Sequence, residues 1–278
     1  MLVTLKEILS IADERRMAIG SFNTPNMTTV ESVISAAEQL KQPVILMHAQ
    51  VHEEMGLCKM EDITPVMLHF AKKSTVPVCV HLDHGTDIEY VRRGLDLGFT
   101  SVMYDGSTLS EEDNTKNTQV VVGLAKEANA SVEAEIGSMG TREGGSGADT
   151  SIYTDPAAAV HFVQNTGIDA LACAFGTAHG FYKEKPQLDF ERLSEIVRRV
   201  SIPVVMHGGS GVSPEDYREV IRRGVRKINY YTYMAKAGGA AVSGKEYAQF
   251  HDVLKDAKTA MQADVTTAIR LFSNINNG

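Results

Sequence analysis

Short apolar runs alternate with amphipathic helical patterns along the chain, and this alternation limits the possible folds more than any other feature of the sequence. A helical pattern follows each apolar run, at a repeat of roughly 25 to 30 residues that is typical of βα units. The alternation therefore predicts an α/β protein with a parallel sheet. The predicted strands are Met17–Phe22, Pro43–Met47, Pro77–Leu82, Thr100–Tyr104, Ser131–Ile136, Ile168–Phe175, Pro203–Met206 and Val225–Asn229.

Eight such units in 278 residues match a (β/α)8 TIM barrel, which usually takes about 250 residues. An amphipathic helix at Thr4–Arg16 precedes the first strand, with Thr4 and Glu7 spaced as a capping box, and further helices follow the last strand. The alternative is a doubly wound sheet, which usually carries a glycine fingerprint after its first strand. The segment Phe22–Asn26 contains no glycine, so we expect residues 1–278 to form one barrel domain.

The composition excludes several classes of partner. The net charge is −8 with acids and bases mixed along the chain, which disfavours a nucleic-acid surface. No apolar run approaches the roughly 20 residues that span a membrane, and Glu7 comes too early for a signal peptide. The three cysteines Cys58, Cys79 and Cys173 are isolated, so we expect no disulfide framework and a cytoplasmic location.

Three histidines, each followed by glycine, come at the ends of strand-like runs: His84, His179 and His207. Because the carboxyl ends of barrel strands meet at one face, the three imidazoles could form a zinc site with an open fourth position. Such a metal would polarise a carbonyl group and stabilise an enediolate. Asp83 stands beside His84, where it could transfer a proton or simply accept a hydrogen bond at the strand end.

Other predicted strands also end in polar residues. Glu133 and Glu135 alternate on one strand and therefore face the same side. If that side is the barrel interior, they need a cation, a cationic side chain or a proton, since unpaired buried carboxylates are costly. Glu135 lies nearer the strand end and is the better candidate for a metal ligand. The other polar residues at strand ends are Asn23, which we expect to contact the substrate, Asp105 and Asn229.

The segment Gly137–Gly147 contains five glycines and follows one of the predicted strands. A loop of this length in a compact domain is either a functional lid or a disordered excursion. Glu143 is a carboxylate that such a lid could carry to the metal, although a solvated loop acid is the simpler interpretation.

The loop Gly208–Gly211 and the segment Asn229–Thr232 follow the last two predicted strands. Barrels often bind phosphate between these two loops, through backbone N–H groups and a helix N-terminus. The pair of loops therefore favours a phosphate site. The tyrosines Tyr230, Tyr231 and Tyr233 are unusual there, and they could instead pack at a subunit contact.

With these residues the sequence resembles the class II, metal-dependent ketose-bisphosphate aldolases, the family of fructose- and tagatose-bisphosphate aldolases. The resemblance covers nearly the whole chain and implies a (β/α)8 barrel, usually a homodimer or homotetramer. It is carried, in order, by Phe22-Asn23, His81–Gly85, Val102–Ser107, Val132–Gly137, Gly176–Gly180, His207–Gly211 and Lys227–Asn229.

The resemblance also implies a zinc ion bound by His84, His179 and His207. Asp105 and Glu135 match positions that hold an alternative or second metal site in the family. A monovalent cation often assists at the phosphate site of these enzymes.

Three catalytic roles follow from the same resemblance. Asp83 matches the acid or base at the hydroxyl where the carbon–carbon bond breaks, and Asn229 matches the residue that contacts the enediolate. Glu143 matches the mobile-loop carboxylate that exchanges the proton on dihydroxyacetone phosphate. The residues that match the phosphate-binding positions are Gly180, Gly208, Gly209, Ser210, Asn229, Tyr230, Tyr231 and Thr232.

The chain departs from its relatives at several positions. Gly85 stands where many members have a second histidine, and Ala49 aligns where a serine or threonine commonly lines the substrate site. Tyr233 replaces a usual acid. The segment Gln249–His251 aligns where an Asp-Pro-Arg stretch usually stands. The phosphate on the aldehyde half thus lacks its usual arginine, whereas the phosphate on the ketone half stays supported.

The sequence therefore predicts a zinc aldolase that reversibly cleaves a ketose phosphate to dihydroxyacetone phosphate and an aldehyde. It does not set the stereochemistry at C4 or the sugar chain length. Three alternatives stay open. One is a Schiff-base aldolase that uses Lys227, which shares strand parity with Asn229. The others are a metal-dependent hydrolase, in which zinc activates water, and a non-catalytic sugar-phosphate sensor.

Overall fold

The computed structural model describes residues 1–137, 153–177 and 186–275. The strands in these ranges are β1 (Leu2–Val3), β2 (Ile19–Asn23), β3 (Val44–Ala49), β4 (Val78–Gly85), β5 (Ser101–Tyr104), β6 (Ser131–Ile136), β7 (Ala170–Cys173), β8 (Val204–Met206) and β9 (Val225–Tyr230). The helices are α1 (Leu5–Arg15), α2 (Met27–Leu40), α3 (Gln50–Glu54), α4 (Met60–Lys73), α5 (Ile88–Leu97), α6 (Glu111–Glu127), α7 (Pro156–Thr166), α8 (Phe190–Arg199), α9 (Pro214–Arg223), α10 (Thr232–Val242) and α11 (Phe250–Phe272).

The eight strands β2 to β9 form a closed parallel barrel. Each pairs with the next strand along the chain, and β9 pairs back with β2 through Ile19 and Lys227. The pairing of β4 with β5 completes the ring. At least one helix follows each of these strands in the chain. The barrel that the strand–helix alternation predicts is thereby confirmed, and the closed ring excludes the doubly wound sheet.

Two elements were not expected from the apolar pattern. The two-residue strand β1 pairs with the start of β4, where Leu2 lies opposite Val78. The short helix α3 begins directly after Ala49 at the carboxyl end of β3. Both elements are too short to produce a periodic signal of their own.

Helix α1 closes the amino-terminal end of the barrel. The predicted capping box is present, since the Thr4 side chain accepts a hydrogen bond from the Glu7 N–H and Glu7 accepts one from the Thr4 N–H. Its buried face includes Ile8 and Leu9, which belong to one cluster with inward-facing strand residues such as Ile45. The barrel interior is thus filled with apolar side chains at its base.

Polar side chains replace the apolar ones higher in the barrel. His81, Glu133 and Lys227 are all fully buried, two strand residues before the side chains at the carboxyl-end mouth. On β4 and β9, those next inward residues are Asp83 and Asn229. The interior therefore changes from an apolar base through a buried charged layer to a polar mouth.

The predicted C-terminal helices are α10 and α11, and α11 packs against α10 and α2 on the outside of the barrel. Phe272, the last residue of α11, is fully buried, and its ring meets those of Tyr217 and Tyr230. Among the described residues, no helix has the length and apolar character needed to cross a bilayer.

Leu9→Ala should lower the free energy of unfolding by about 2–5 kcal/mol, because it leaves a cavity between α1 and the barrel base. Ser10→Ala is the matched control, since Ser10 is exposed on the same helix. Urea denaturation followed by circular dichroism measures both. Equal midpoints for the two variants would show that α1 does not plug the barrel.

Candidate active site

Four side chains meet at the carboxyl-end mouth of the barrel: Asp83 and His84 of β4, His207 after β8 and Asn229 of β9. Nε2 of His84 lies 2.8 Å from Nδ1 of His207. Nδ2 of Asn229 donates a hydrogen bond to Oδ1 of Asp83 at 3.0 Å. Asp83, His84 and His207 each offer a ligand atom within 4.8 Å of the others. The arrangement brings nitrogen and oxygen ligands together at a point where substrate can enter.

A bulge in β4 lets two adjacent residues serve this mouth. Neighbouring strand residues normally point to opposite faces, so an inward Asp83 should direct His84 outward. The register between β4 and β5 shifts between Leu82 and Gly85, and His84 has a φ of 49°. This left-handed conformation costs about 1–3 kcal/mol in a non-glycine residue. It turns the imidazole back toward the mouth beside Asp83.

Gly85 is required by the same bulge. A Cβ atom there would lie 2.6 Å from Cγ2 of Val91 and 3.0 Å from the carbonyl oxygen of Met103. Helix α5 and strand β5 therefore leave no room for a side chain. The second histidine that many relatives carry at this position would not fit this chain without movement of α5.

Each imidazole donates a hydrogen bond to a carboxylate from the nitrogen that does not face the other ring. Nδ1 of His84 donates to Oδ2 of Asp105 at 2.7 Å, and Nε2 of His207 donates to Oε1 of Glu133 at 2.7 Å. These bonds leave Nε2 of His84 and Nδ1 of His207 facing each other. Histidines that bind metals usually donate their second nitrogen to a carboxylate in this way. The donor set thus fits a divalent cation such as zinc.

The surroundings of the two imidazoles shift their pKa values in opposite directions. Burial alone would lower the pKa of His84, but the Asp83 charge, the bond to Asp105 and the Glu135 charge raise it to about 10. Burial lowers the pKa of His207, and the hydrogen bond to Glu133 offsets this only in part. His84 therefore carries a proton at neutral pH that it shares with the neutral ring of His207.

The carboxylates of the site are ionised. Burial would raise the pKa of Asp83, but the charges of His84 and Lys227 outweigh it and hold the pKa far below its usual range. For Asp105, burial again opposes ionisation, while the hydrogen bond and charge of His84 lower the pKa. Asp83 can therefore accept a proton from a bound hydroxyl group.

A second group of possible metal ligands shares His84 with the first. It consists of His84, Asp105 and Glu135, whose ligand atoms also lie within 4.8 Å of one another. Oε2 of Glu135 lies 3.9 Å from Nδ1 of His84. The structure thus brings together the two carboxylates that the sequence suggested for an alternative or second metal site.

The layer beneath the mouth contains residues whose roles the sequence left open. Nζ of Lys227 donates to Oδ1 of Asn229 at 2.7 Å and lies 2.9 Å from Oε2 of Glu133. Glu133 therefore has the cationic side chain that a buried carboxylate requires. Nδ1 of His81 lies 2.8 Å from Oγ of Ser101, and burial lowers the pKa of His81 to about 3. His81 is a neutral interior residue below the metal ligands.

The two predicted phosphate loops lie side by side. The Gly209 N–H donates to the carbonyl oxygen of Asn229 at 3.1 Å, and the Tyr231 N–H donates to Oγ of Ser210 at 3.1 Å. A Cβ atom on Gly209 would lie 2.7 Å from the Asn229 carbonyl oxygen, so the close approach needs glycine. Gly208 comes directly before Gly209 in the first loop, and Thr232 begins α10 directly after Tyr231 in the second.

Tyr230 is placed differently from its neighbours in that segment. Its side chain points out of the barrel, and its ring centroid lies 5.8 Å from that of Phe22 and 6.0 Å from that of Phe272. Any contact of Tyr230 with a ligand at the mouth would therefore come from its backbone. The alternation of strand β9, with Asn229 inward, explains this orientation.

The remaining predicted site residues divide into two sets. Asn23 ends β2 and is 8 % exposed, on the inward side with Ser21. His179, Gly180 and Glu143 lie outside the described residues.

Two histidines near the end of β3 lie apart from this ligand set. His48 points outward and its Nε2 lies 3.0 Å from the Tyr90 hydroxyl group. Burial, followed by the charge of His52, lowers its pKa to about 4. The His52 ring lies 4.9 Å from that of Tyr231, at the rim of the barrel. In the sequence, only their position relative to the strand end distinguishes these two histidines from the predicted ligands.

A closed parallel barrel with histidine and carboxylate side chains that could hold a metal at its carboxyl-end mouth is typical of a metal-dependent barrel enzyme. The sequence matches the model of the family "Fructose-bisphosphate aldolase class-II" over residues 3–277. The chain therefore belongs to the class II fructose-bisphosphate aldolase family, and it is an aldolase, a carbon–carbon lyase of a metal-dependent family.

Individual relatives agree with this assignment. The chain is 36% identical over 282 residues to a fructose-bisphosphate aldolase of Staphylococcus aureus, a match that covers 99% of this chain and 98% of the relative. The crystal structure of the YdjI aldolase from Escherichia coli K12 is similar with a TM-score of 0.89 at 34% identity, covering 98% of this chain and 97% of that one. A fructose-bisphosphate aldolase from Campylobacter jejuni shares the fold, with a TM-score of 0.78 at 22% identity over 100% of this chain and 97% of its own.

Metal uptake by the metal-free protein should release about one proton near pH 7.5, because a ligating imidazole must be deprotonated. The proton comes from His84, whose raised pKa of about 10 keeps it charged at that pH. The release should fall toward zero as the pH rises above that value. Calorimetry of zinc binding in buffers of different protonation enthalpy measures the number. Zinc binding without proton release near neutral pH would contradict the raised pKa.

Proposed function

We propose that the chain is a zinc-dependent aldolase that reversibly cleaves a ketose phosphate to dihydroxyacetone phosphate and an aldehyde. The substrate is fructose or tagatose 1,6-bisphosphate, or a related ketose 1-phosphate. One observation carries the proposal: the facing nitrogens of His84 and His207 lie beside the ionised carboxylate of Asp83 at the barrel mouth.

Zinc is the proposed metal, with His84, His207 and His179 as its ligands. When bound, it supplies a Lewis acid that polarises the substrate ketone and stabilises the charge of the enediolate. The two imidazoles backed by Asp105 and Glu133 support this assignment, because the hydrogen bonds fix the ring orientation that a ligand needs. Asp105 and Glu135 are proposed as an alternative or second site.

Asp83 is the proposed base in cleavage. It takes the proton of the C4 hydroxyl group while the C3–C4 bond breaks, so the aldehyde leaves and the electron pair stays on C3. The neighbouring positive charges keep this buried carboxylate ionised, so it has a lone pair available for the proton. Asn229 has an amide N–H next to Asp83, which can donate a hydrogen bond to the enediolate oxygen as negative charge develops.

Glu143 is the proposed acid that returns a proton to C3 of the enediolate and releases dihydroxyacetone phosphate. The same residue would abstract that proton in the condensation direction. Glu143 would thus serve the C–H group, and Asp83 would serve the O–H group. Support for Glu143 comes from the family resemblance of the glycine-rich segment.

The phosphate of the ketone half is proposed to bind at the loops after β8 and β9. Gly208 to Ser210 and Asn229–Thr232 are proposed to surround it, together with the start of α10. The N–H groups of Gly209 and Tyr231 hold the two loops together, because they donate to the Asn229 carbonyl oxygen and to Oγ of Ser210. Gly180 and a monovalent cation complete the proposed site. Asn23, which ends the neighbouring strand β2, is a proposed contact to the rest of the sugar.

The contacts of Lys227 disfavour the Schiff-base alternative. Its amino group is fully buried and engaged with Asn229 and Glu133, so it has no free access to a ketone carbon. A hydrolase is separated from an aldolase by its products, because only hydrolysis consumes water. Stable binding of sugar phosphates with no turnover on any ketose phosphate would revive the sensor.

The proposal includes a homodimer or homotetramer in the cytoplasm. The three cysteines, all among the described residues, are free thiols, as expected in a reducing compartment. Exposed Phe250 and Leu254 at the start of α11 provide apolar surface that a subunit contact would cover. Light scattering on the purified protein measures the assembly.

A condensation screen tests the function. Zinc-loaded protein is incubated with dihydroxyacetone phosphate and a panel of phosphorylated and unphosphorylated aldehydes, and the products are separated and identified. We expect ketose 1-phosphates, with activity lost on chelation and recovered with zinc. The configuration of the product at C4 distinguishes fructose-type from tagatose-type substrates. No condensation with any aldehyde would overturn the proposal.

Asp83→Asn should lower kcat for cleavage by about 10²- to 10⁴-fold, because the amide keeps the shape but cannot accept the hydroxyl proton. The zinc content per chain should stay unchanged. Asp62→Asn is the control, since Asp62 is an exposed acid in the first turn of α4. Steady-state kinetics and metal analysis check both, and an Asp83→Asn enzyme with full kcat would rule out this base.

A further inference from the structure

We propose that Lys227 is a positioning residue of this active site: its buried ammonium group holds the carboxamide of Asn229 and the carboxylate of Glu133. Through these two contacts it aims the hydrogen-bond donor of Asn229 and orients the ring of His207. The inference rests on the proposed aldolase reaction and assigns to that site a residue that touches neither substrate nor metal.

Lys227 lies one layer below the mouth, on the inward face of β9. It is fully buried, and so is Glu133 on β6, while Asn229 is 7 % exposed. Nζ of Lys227 lies 2.7 Å from Oδ1 of Asn229 and 2.9 Å from Oε2 of Glu133. A single ammonium group thus contacts two side chains from different strands, and both of them reach the residues at the mouth.

The first contact fixes which way the Asn229 amide faces. Its oxygen meets the Lys227 ammonium group, and its nitrogen meets the Asp83 carboxylate at 3.0 Å. The flipped amide would place its oxygen against the carboxylate and its NH₂ group against the ammonium, and both contacts would be repulsive. Lys227 and Asp83 therefore hold the N–H donor at the mouth before substrate arrives, which is the preorganisation that oxyanion stabilisation requires.

The second contact acts on His207 through Glu133. Oε1 of Glu133 accepts the Nε2–H of His207 at 2.7 Å, while Oε2 meets the ammonium group. An ionised carboxylate is needed to keep that proton on Nε2 and to leave Nδ1 for the mouth. The Lys227 charge offsets the desolvation cost of an ionised Glu133, because both side chains are fully buried and lie 2.9 Å apart.

Stability alone gives little reason for this pair. Two apolar residues of similar volume would fill the layer at least as well, since the desolvation of both charges offsets much of their attraction. The apolar layer below, which includes Ile45 and Val205, is built in that way. The pair instead connects the two mouth residues whose orientation the reaction needs.

Lys227→Met alone would leave Glu133 as an unpaired buried charge, and the protein could fail to fold. The informative variant is Lys227→Met/Glu133→Gln, which removes both charges and keeps both shapes. We expect thermal unfolding close to that of the wild type, because no buried charge is left unpaired. The kcat for cleavage should still fall by about 100-fold, the size typical of a lost oxyanion donor, with a much smaller change in KM.

Cobalt provides a readout that does not depend on turnover. The visible spectrum of the cobalt-substituted double variant should differ from that of the wild type, because the ring of His207 loses its charged partner. Glu133→Gln alone is the matched comparison once thermal unfolding shows that it is folded, since it leaves the buried Lys227 ammonium group without its carboxylate. It should change the cobalt spectrum as well, yet retain more kcat than the double variant, since Lys227 still holds Asn229.

Chemical rescue distinguishes two roles of Lys227: hydrogen-bond donation by its ammonium group, and the filling of space by its side chain. In Lys227→Ala, propylammonium has the atoms that the substitution removes, and kcat should recover at least tenfold as its concentration rises. Tetramethylammonium has the charge without any N–H group and should not rescue. Equal recovery with both ions, or no recovery with either in a folded variant, would assign the loss to packing and overturn the inference.

The outcomes also distinguish this inference from the proposed function. If the wild-type protein shows no activity in the condensation screen, the proposed function is wrong. In an active wild type, a folded double variant with full kcat and an unchanged cobalt spectrum overturns the role of Lys227 and leaves the aldolase reaction intact.

Discussion

The bulge in β4 is the constraint on which the site depends. A regular strand would send Asp83 and His84 to opposite faces of the barrel wall, and the proposed base and the proposed metal ligand would be separated. The left-handed backbone at His84 brings both to the mouth, at a cost in strain that the surrounding barrel must bear. The strong pairing of β4 with β3, which continues as far as Ala49 and Asp83, supplies the rigid neighbour that keeps this conformation.

Opposite charges alternate through the interior above the apolar base. Lys227 is neutralised by Glu133, Glu133 holds His207, and His84 lies between Asp83 and Asp105. Each contact offsets part of the desolvation cost of these buried groups, so the carboxylates stay ionised and the imidazoles keep fixed tautomers. The chemical properties of the mouth are therefore set by the layer beneath it as well as by its own residues.

Much of this could be predicted from the sequence. The alternation of apolar runs and helical patterns identified the barrel, because those periods follow directly from burial on each element. The strand-end positions of His84 and His207 predicted that the two side chains would lie together at the mouth, as they do. The parity of Glu133 with Glu135 and of Lys227 with Asn229 indicated that both Glu133 and Lys227 could face inward, but their pairing depends on which strands lie close across the barrel. The distance between the two strands across the barrel depends on how the ring closes, and no short stretch of sequence indicates it.

Other features were beyond the sequence for different physical reasons. The inward turn of His84 depends on a bulge that changes no apolar pattern. Tyr230 points outward because it follows the inward-facing Asn229 on the same strand. With Tyr231 and Tyr233 close by in the sequence, the pattern does not show which of the three tyrosines faces inward. The short helix α3 adds too few residues for a periodic signal, although it places His52 beside Tyr231 at the rim.

Gly85 has a consequence for how this chain can change. Because Val91 and the Met103 carbonyl oxygen fill the space that any side chain would need, the position is coupled to the packing of α5 rather than to the metal. A larger residue at this position would therefore act first on the helix outside the barrel wall, and any effect on the mouth would follow from the displacement of that helix.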